Sequence, residues 1–401
     1  MTSALTSAQN LSVPAPRTGC PLDPPSGYRE ATETTPVVRV QLPFGDECWL
    51  VARHEDVRAV LTDRRFSADA TRPGYPIINE ELRALAAASR SSAESVEESE
   101  HLRRRRMLTS DFKAKRIEAL RPEIQTMVDE VLDAVMADGG PADLMARFAL
   151  PVPSAVICLV LGVPYEEHKF FEERGRVLLD YEAGPEAMAT ARQELMEYML
   201  GLARAKQEQP DDGLLSRLLE RGELTVEEVA GTGLILLLGG HETTAATIAL
   251  SVVALLRNPE QLALLRRDPT LIKGAVDELM RYATVVQNGL GRVAIEDVEI
   301  GGQLIKAGEG VLCMFSAANR DEEAFPGGNV LDVTRDARGQ VSFGYGLHQC
   351  VGQSLARAEI QIALETLLRR MPHLRLAVPF EDLRFRDRAG LYGVEQLPVV
   401  W

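Results

Sequence analysis

Residues 343–352 read FGYGLHQCVG, a cysteine set among three glycines directly before a helical pattern. A buried structural cysteine needs no such setting. Gly346 ahead of Cys350 permits a backbone turn that other residues resist. Gly352 behind it removes a side chain where a flat ligand must come close. A helix starting just after the cysteine aims N–H groups and its positive dipole end at the sulfur, which favours the thiolate. Phe343 is placed to pack on the loop and shield that sulfur. A deprotonated sulfur, tempered by N–H donors and kept from oxidation, is what an iron–thiolate bond to haem requires. The F-x-x-G-x-x-x-C-x-G spacing has a chance expectation on the order of one in a thousand from ordinary residue usage.

FGYGLHQCVG resembles the haem-binding loop of the cytochrome P-450 family, the haem-thiolate monooxygenases. Further motifs of that family follow in its order along nearly the whole chain. Gly239–Gly–His–Glu–Thr–Thr244 is similar to the family's A-G-x-[DE]-T-T, with Gly239 where alanine is usual. The resemblance implies that Gly239 and Gly240 open the helix locally and leave room for dioxygen. It makes Thr243 and Glu242 the catalytic pair, a hydroxyl and a carboxylate passing protons through water. General acid catalysis of such a step contributes ~10²–10⁴-fold. Glycine costs about 1 kcal/mol in a helix relative to alanine, so a looser kink is expected at Gly239. His241, inside the same motif, reads as structural.

Glu278–Leu–Met–Arg281 matches the family's E-x-x-R. Residues three apart share a helix face and can pair, and the implied role is structural, beside the haem. His101 and Arg105 match H-x-x-x-R, Arg292 matches the arginine after the E-x-x-R helix, and His348 matches the propionate-binding histidine. Together they provide cations for two otherwise buried carboxylates. With Cys350 as axial iron ligand and Phe343, Gly344, Gly352, Gly239 and Gly240 around it, these residues make up the implied haem b site.

The elements that must position these residues can be read from periodicity. Helical patterns cover 101–136, 140–163, 165–180, 186–207, 212–221, 225–257, 259–283 and 351–371. Short strands are expected in 37–52, around a Phe-Gly-Asp turn, in 291–315, and toward the C-terminus. The fold class is mainly α with small β-sheets. The resemblance specifies the cytochrome P-450 fold, a triangular helical prism with haem between a long central helix and the cysteine loop. The apolar stretch 229–256 is long enough for a membrane span, but His241 and Glu242 sit in its middle. A charge at the bilayer centre is costly, so a buried central helix is expected and no membrane anchor.

The formal net charge of −15 excludes nucleic acid as a general partner. The five cysteines (Cys20, Cys48, Cys158, Cys313 and Cys350) contain no C-x-x-C pair, which speaks against a disulfide framework or zinc site. Those other than Cys350 are expected as buried small hydrophobes. Residues 1–25 lack a signal-peptide pattern and read as a flexible segment before a single domain, 26–401, in a cytoplasmic monomer.

Three functions compete. The first is a monooxygenase acting on a lipophilic small molecule by hydroxylation or epoxidation, in secondary metabolism or xenobiotic conversion. The second is a haem-thiolate nitric oxide reductase, which SAANRDEEAF at 316–325 also resembles. The third is a haem- or hydrophobe-binding protein without turnover. Those reductases lack the acid–hydroxyl pair that this chain keeps, so the first is favoured. The resemblance then implies electrons from NAD(P)H through ferredoxin reductase and ferredoxin. The donor would dock near Arg103, Arg104, Arg106 and Lys113, with Lys115 and Arg116 extending the basic cluster. By analogy the substrate pocket is lined by Ile235, Val285, Val286, Gln287, Asn288, Leu391 and Tyr392. These are mostly apolar, which suits a macrolide, terpenoid or steroid. Phe325–Pro–Gly–Gly–Asn329 departs from the family's more charged, aromatic segment.

Overall fold

The computed structural model of the chain describes residues 11–78, 98–180, 182–287, 289–386 and 390–401. The helices used below are α1 (Ser26–Thr34), α2 (His54–Thr62), α3 (Glu98–Thr109), α4 (Ala114–Ala137), α5 (Pro151–Leu161), α6 (His168–Leu179), α7 (Pro185–Glu208), α8 (Leu214–Arg221), α9 (Val226–Arg257), α10 (Pro259–Arg267), α11 (Ile272–Tyr282), α12 (Phe315–Ala318) and α13 (Gln353–Arg370). The strands are β1 (Val37–Gln41), β2 (Glu47–Val51), β3 (Phe66–Ser67), β4 (Ala142–Asp143), β5 (Leu290–Ala294), β6 (Val298–Ile300), β7 (Gln303–Ile305), β8 (Gly310–Cys313), β9 (Arg375–Leu376) and β10 (Pro398–Val400). The chain forms two compact units, residues 1–103 with 274–350, and residues 104–273 with 351–401.

The first unit is built on a five-stranded sheet of order β1-β2-β8-β5-β3. VVRVQ and ECWLV pair antiparallel as the expected hairpin, Val38 opposite Leu50. β8 then adds parallel to β2, and β5 antiparallel to β8. Gly289 permits that last pairing. It has φ +62, and a Cβ there would fall 1.3 Å from the Cys313 carbonyl oxygen, so no other residue fits. β6 and β7 make a separate hairpin. Residues 11–25, expected to be loose, are packed here. Val13 is 2% and Leu22 6% exposed, and the Ala15 N–H donates to the Tyr28 hydroxyl at 2.8 Å. Residues 1–10 lie outside the described residues.

The second unit is helical, with the small sheet β4-β10-β9 at its side. Its central element is α9, packed against α5, α7 and α13. A helix apolar all round must be buried all round, and 72% of its apolar window is buried within the fold. Its start is fixed by a capping box in which Thr225 Oγ1 accepts the Glu228 N–H and the Glu228 carboxylate accepts the Thr225 N–H.

Three expected helices are interrupted. The 101–136 pattern divides into α3 and α4 at residues 110–113. There the Asp111 carboxylate accepts from Arg217 Nε at 2.8 Å and Arg221 Nη2 at 2.6 Å. The 140–163 pattern is helical only from Met145, because Ala142 and Asp143 pair with β10. The 259–283 pattern breaks at Pro269, which lacks an N–H, and Asp268 caps the new turn by accepting the Thr270 N–H at 3.1 Å.

Candidate active site

The cysteine loop belongs to the first unit. Val341 C=O accepts the Gly344 N–H at 2.8 Å, Gly346 C=O accepts the Gln349 N–H at 3.1 Å, and the Cys350 N–H closes the loop on Phe343 C=O at 2.9 Å. Gly344 and Gly346 have φ +68 and +72, the left-handed region that favours glycine. Gly346 is constrained twice, since a Cβ would lie 2.8 Å from the Leu61 carbonyl oxygen at the end of α2. Gly352, with φ −82, has no such backbone reason.

Cys350 is exposed, whereas Cys48, Cys158 and Cys313 are buried. Burial pushes each of those three thiols up to about 12, so they remain protonated and inert. Cys20, expected to be buried, is exposed because it lies in the surface segment ahead of α1.

Beside the loop a cavity of about 310 Å³ is lined by His101, Arg292 and His348, together with Arg64 and Arg72. The His101 and His348 rings pack with centroids 4.1 Å apart. Arg292 is 3% exposed. Its Nη1 donates to Gly291 C=O at 2.7 Å, while Nη2 is buried with no partner among the described residues. A buried guanidinium N–H without an acceptor is costly. The donor set therefore suits a ligand carrying carboxylates, which a haem is. Arg105 follows His101 by one turn of α3 and falls in the second unit.

Glu278 and Arg281 form a fully buried network in the first unit, both side chains 0% exposed. Arg281 Nε and Nη2 donate to the two carboxylate oxygens at 2.7 and 2.8 Å. Its Nη1 donates to Asn319 C=O at 2.6 Å and Gly328 C=O at 2.8 Å. The Phe325–Asn329 stretch that departs from the family pattern thus supplies an acceptor, and Phe325 stacks under Arg281 at 5.2 Å. Arg335 joins with Nε 3.2 Å from Glu278. Sequence reading missed Arg335 and Asn319. Asn319 Nδ2 donates to Thr284 and Ser342, and its Oδ1 accepts the Val341 N–H. Nothing in an irregular segment marks such a hub.

In the second unit, α9 presents Ile235, Gly239 and Thr243 at successive turns of one face. Ile235 is 69% exposed, against a helix otherwise largely buried. A Cβ on Gly239 would meet nothing within 4 Å. On Gly240 it would lie 2.7 Å from Ile157 Cδ1, so the missing side chain there serves packing against α5. The expected local opening is absent, since α9 runs unbroken through both glycines and the Thr243 hydroxyl donates to Gly239 C=O at 2.7 Å. Glu242 is buried, 1% exposed, and its Oε2 pairs with Arg386 Nη1 at 3.3 Å. Arg386 is a third residue the sequence concealed, one of three arginines in RFRDRAG. His241 is fully buried. Its Nδ1 donates to Leu237 C=O at 2.7 Å, a structural placement as expected.

A sequence profile of the family described as Cytochrome P450 matches residues 182–374. Cytochrome P450-SU2 of Streptomyces griseolus is 56% identical over 98% of this chain and 97% of that relative. The chain belongs to the cytochrome P450 family. Pentalenic acid synthase of Streptomyces avermitilis is 45% identical over 98% of this chain and 97% of its own length. Among solved structures, the mycinamicin VIII C21 methyl hydroxylase MycCI of Micromonospora griseorubida, bound to mycinamicin VIII, is 40% identical with a TM-score of 0.90, covering 98% of this chain and all of that one, 100%.

The protein is accordingly a P450 monooxygenase with the P450 fold and a haem-thiolate cofactor. The nitric oxide reductase reading is not favoured. The 316–325 segment that suggested it has work of its own, for Asn319 serves the Glu278 network and Asp321 Oδ2 accepts the His54 N–H at the start of α2. Of the expected pocket residues, Ile235 is open, while Val285, Leu391 and Tyr392 are buried at 6%, 7% and 5% exposure. Val286 is half-buried against the sheet cluster of the first unit. Gln287 donates to Thr284 C=O at 2.6 Å and accepts from Arg17 at 2.5 Å, which leaves its amide one further N–H and one further lone pair. Asn288 lies outside the described residues.

Proposed function

We propose that this P450 holds haem b through Cys350 and oxidises a lipophilic natural product of medium to large size. The observation that carries the cofactor site is the buried Arg292, whose Nη2 has no partner among the described residues, in one cavity lining with His101 and His348. Arg292, His101 and His348 would hold the haem carboxylates, and the family motifs add Arg105, Phe343, Gly344, Gly352, Gly239 and Gly240 to the residues that would bind the cofactor. Haem, when bound, supplies the iron at which dioxygen is reduced and one oxygen atom passes to the substrate.

The chain's own groups do the rest. Cys350, presented by a glycine-shaped loop three residues before α13, gives its thiolate sulfur. Thr243 donates to Gly239 C=O, which leaves its oxygen lone pairs to accept a hydrogen bond on the open face of α9. Glu242 takes up and releases the proton at its carboxylate, through water, and Thr243 guides it. The apolar stripe of Ile235 and Gly239 on α9 would receive the substrate and exclude water, and the family resemblance adds Val285, Val286, Leu391 and Tyr392 to the substrate-binding residues. The names of the relatives, pentalenic acid and mycinamicin VIII among them, support a terpenoid or macrolide.

Electrons come from NAD(P)H by ferredoxin reductase and ferredoxin in the cytoplasm, to a monomeric enzyme. The donor docks by Arg103, Arg104, Arg106 and Lys113. Arg106, Lys113 and Lys115 are exposed, whereas Arg116 is drawn to Asp111 at 3.8 Å and contributes less.

The test is a titration of the haem-loaded protein with lipophilic natural products, following the Soret band. A compound that moves ferric iron from low to high spin and is then oxidised with a ferredoxin system supports the reading. Conversion confined to small hydrophilic compounds would overturn it.

A further inference from the structure

Glu242 is a carboxylate on the inner face of an apolar helix, and a charge so placed persists only when paired. Within the second unit its partner is Arg386. The contact is a single one, Nη1 to Oε2 at 3.3 Å, long for a hydrogen bond between charged groups. It differs in kind from the two-pronged clamp of Arg281 on Glu278 at 2.7 and 2.8 Å. Arg386 also keeps Nε and Nη2, both buried, without a partner among the described residues. The guanidinium thus holds the carboxylate by one corner and retains two donors that can take its second oxygen or a water.

Arg386 is not a loose surface side chain. Its N–H donates to Gly393 C=O at 2.8 Å, and the Glu395 N–H donates to Arg384 C=O at 2.9 Å, closing a hairpin. Phe385 pairs with Val394 across that hairpin and stacks on Tyr392 at 5.7 Å. A Cβ on Gly393 would lie 2.9 Å from Arg386 Nη2 and 3.3 Å from Ala246 Cβ, one turn of α9 beyond Glu242. The missing side chain at 393 makes room for the guanidinium against the helix. Arg384, two residues earlier, is exposed; alternation would place both arginines on one face, so it is the seating of Arg386 against Glu242 and Gly393 that sets it apart.

We propose that Arg386 is the positioning residue for Glu242, fixing where the proton-delivering carboxylate stands. The inference rests on the reading of Glu242 as the proton-delivering group. Loss of Arg386 leaves the buried carboxylate without its cation, so proton delivery fails while haem and substrate binding persist. The consumed dioxygen then leaves as hydrogen peroxide, taking two electrons and two protons, in place of product and water.

The test compares the haem-loaded parent with Arg386→Met, Arg386→Lys, Gly393→Ala, Glu242→Gln and the Arg386→Met/Glu242→Gln double variant. Peroxide and product are measured per dioxygen consumed, using the compound that gives the largest Soret shift, and without added compound as companion reaction. In Arg386→Met, product per dioxygen falls by ~10²-fold, the lower end of what positioned acid–base catalysis contributes, the Soret titration is unchanged, and Arg386→Lys recovers part of the loss. Gly393→Ala, which displaces the guanidinium without removing its charge, uncouples to a lesser degree and keeps the proposal testable if Arg386→Met does not fold. Adding Arg386→Met to Glu242→Gln changes nothing further. A second readout needs no turnover: Arg386→Met lowers the thermal unfolding midpoint of the parent more than that of Glu242→Gln.

Full coupling in Arg386→Met, or equal further uncoupling by it in the Glu242→Gln background, overturns the proposal and leaves Glu242 its role. Full coupling in Glu242→Gln instead removes the reading of Glu242, and this proposal with it.

Discussion

Replacing Glu278 by glutamine tests the buried network of the first unit at its most connected atoms. The carboxylate accepts four hydrogen bonds: Arg281 Nε at 2.7 Å and Nη2 at 2.8 Å, the Asp332 N–H at 3.0 Å and Arg335 Nε at 3.2 Å. Glutamine keeps one carbonyl oxygen and turns an NH₂ toward donors, so at least one guanidinium N–H loses its acceptor. It also removes the charge that compensates Arg281, whose side chain is 0% exposed. Breaking a buried pair from one side costs about 3–5 kcal/mol. Two lost hydrogen bonds to a charged group, at about 1.5–3 kcal/mol each, give the same range. Against a total stability of about 5–15 kcal/mol this is a large fraction. Urea unfolding followed by circular dichroism should therefore show a midpoint lowered by the quotient of that cost and the m-value. Arg281→Met should cost at least as much, because it also strands the Asn319 and Gly328 carbonyls. The double variant should cost less than the sum of the two, since no uncompensated pair remains. A loss below about 1 kcal/mol for Glu278→Gln would refute the reasoning and class the pair with exposed ones.

Gly239→Ala and Gly240→Ala gain the same helix propensity, so their difference isolates packing. Gly240→Ala should be less stable than Gly239→Ala by about 1–3 kcal/mol, the cost of pushing Ile157, and equal stabilities would remove that argument. Glu359 is 2% exposed with Oε2 unpartnered among the described residues, and burial holds its carboxyl well above the usual range. With the folded value raised, the native chain keeps a proton that the unfolded chain releases, so stability falls as pH rises above about 4.3, by about 1.4 kcal/mol per pH unit. Glu359→Gln should be neutral below that pH and increasingly stabilising above it; a pH-independent difference in unfolding midpoints counts against the sign. Arg292→Leu should leave the apoprotein no less stable, since it removes a stranded N–H, yet release haem to apomyoglobin about 10–100-fold faster, the equivalent of one hydrogen bond to a charged group. Cys350→Ser should lose the thiolate-type spectrum of the reduced carbon monoxide complex, and its survival would show that another ligand holds the iron.

The chemistry of this protein was legible wherever it is carried by consecutive residues. FGYGLHQCVG encodes its own loop, because Gly344 and Gly346 are needed at positive φ and the Cys350 N–H closes on Phe343 seven residues away. The apolar run with Gly-Gly-His-Glu-Thr-Thr at its middle likewise dictates a buried helix, and Glu278 and Arg281 meet because three residues bring them to one face. Period and spacing are local properties, and sequence states them directly.

What sequence did not state is which partners meet from far along the chain. Arg335 and Asn319 complete the Glu278 network from an irregular segment, and Arg386 reaches Glu242 across 144 positions. No periodicity distinguishes Arg386 from Arg384, which share a face two residues apart; only the packing of Gly393 against α9 gives Arg386 its place beside Glu242. The same holds for the glycines: Gly239 and Gly240 are alike in the motif, and only Ile157, arriving from α5, makes one of them a packing requirement. Helix ends followed this rule as well, since Asp111 interrupts a continuous pattern by collecting Arg217 and Arg221 from more than 100 residues ahead. Local backbone preference is written in neighbouring residues, whereas the pairing of a buried charge is settled by whichever group the tertiary fold delivers to it.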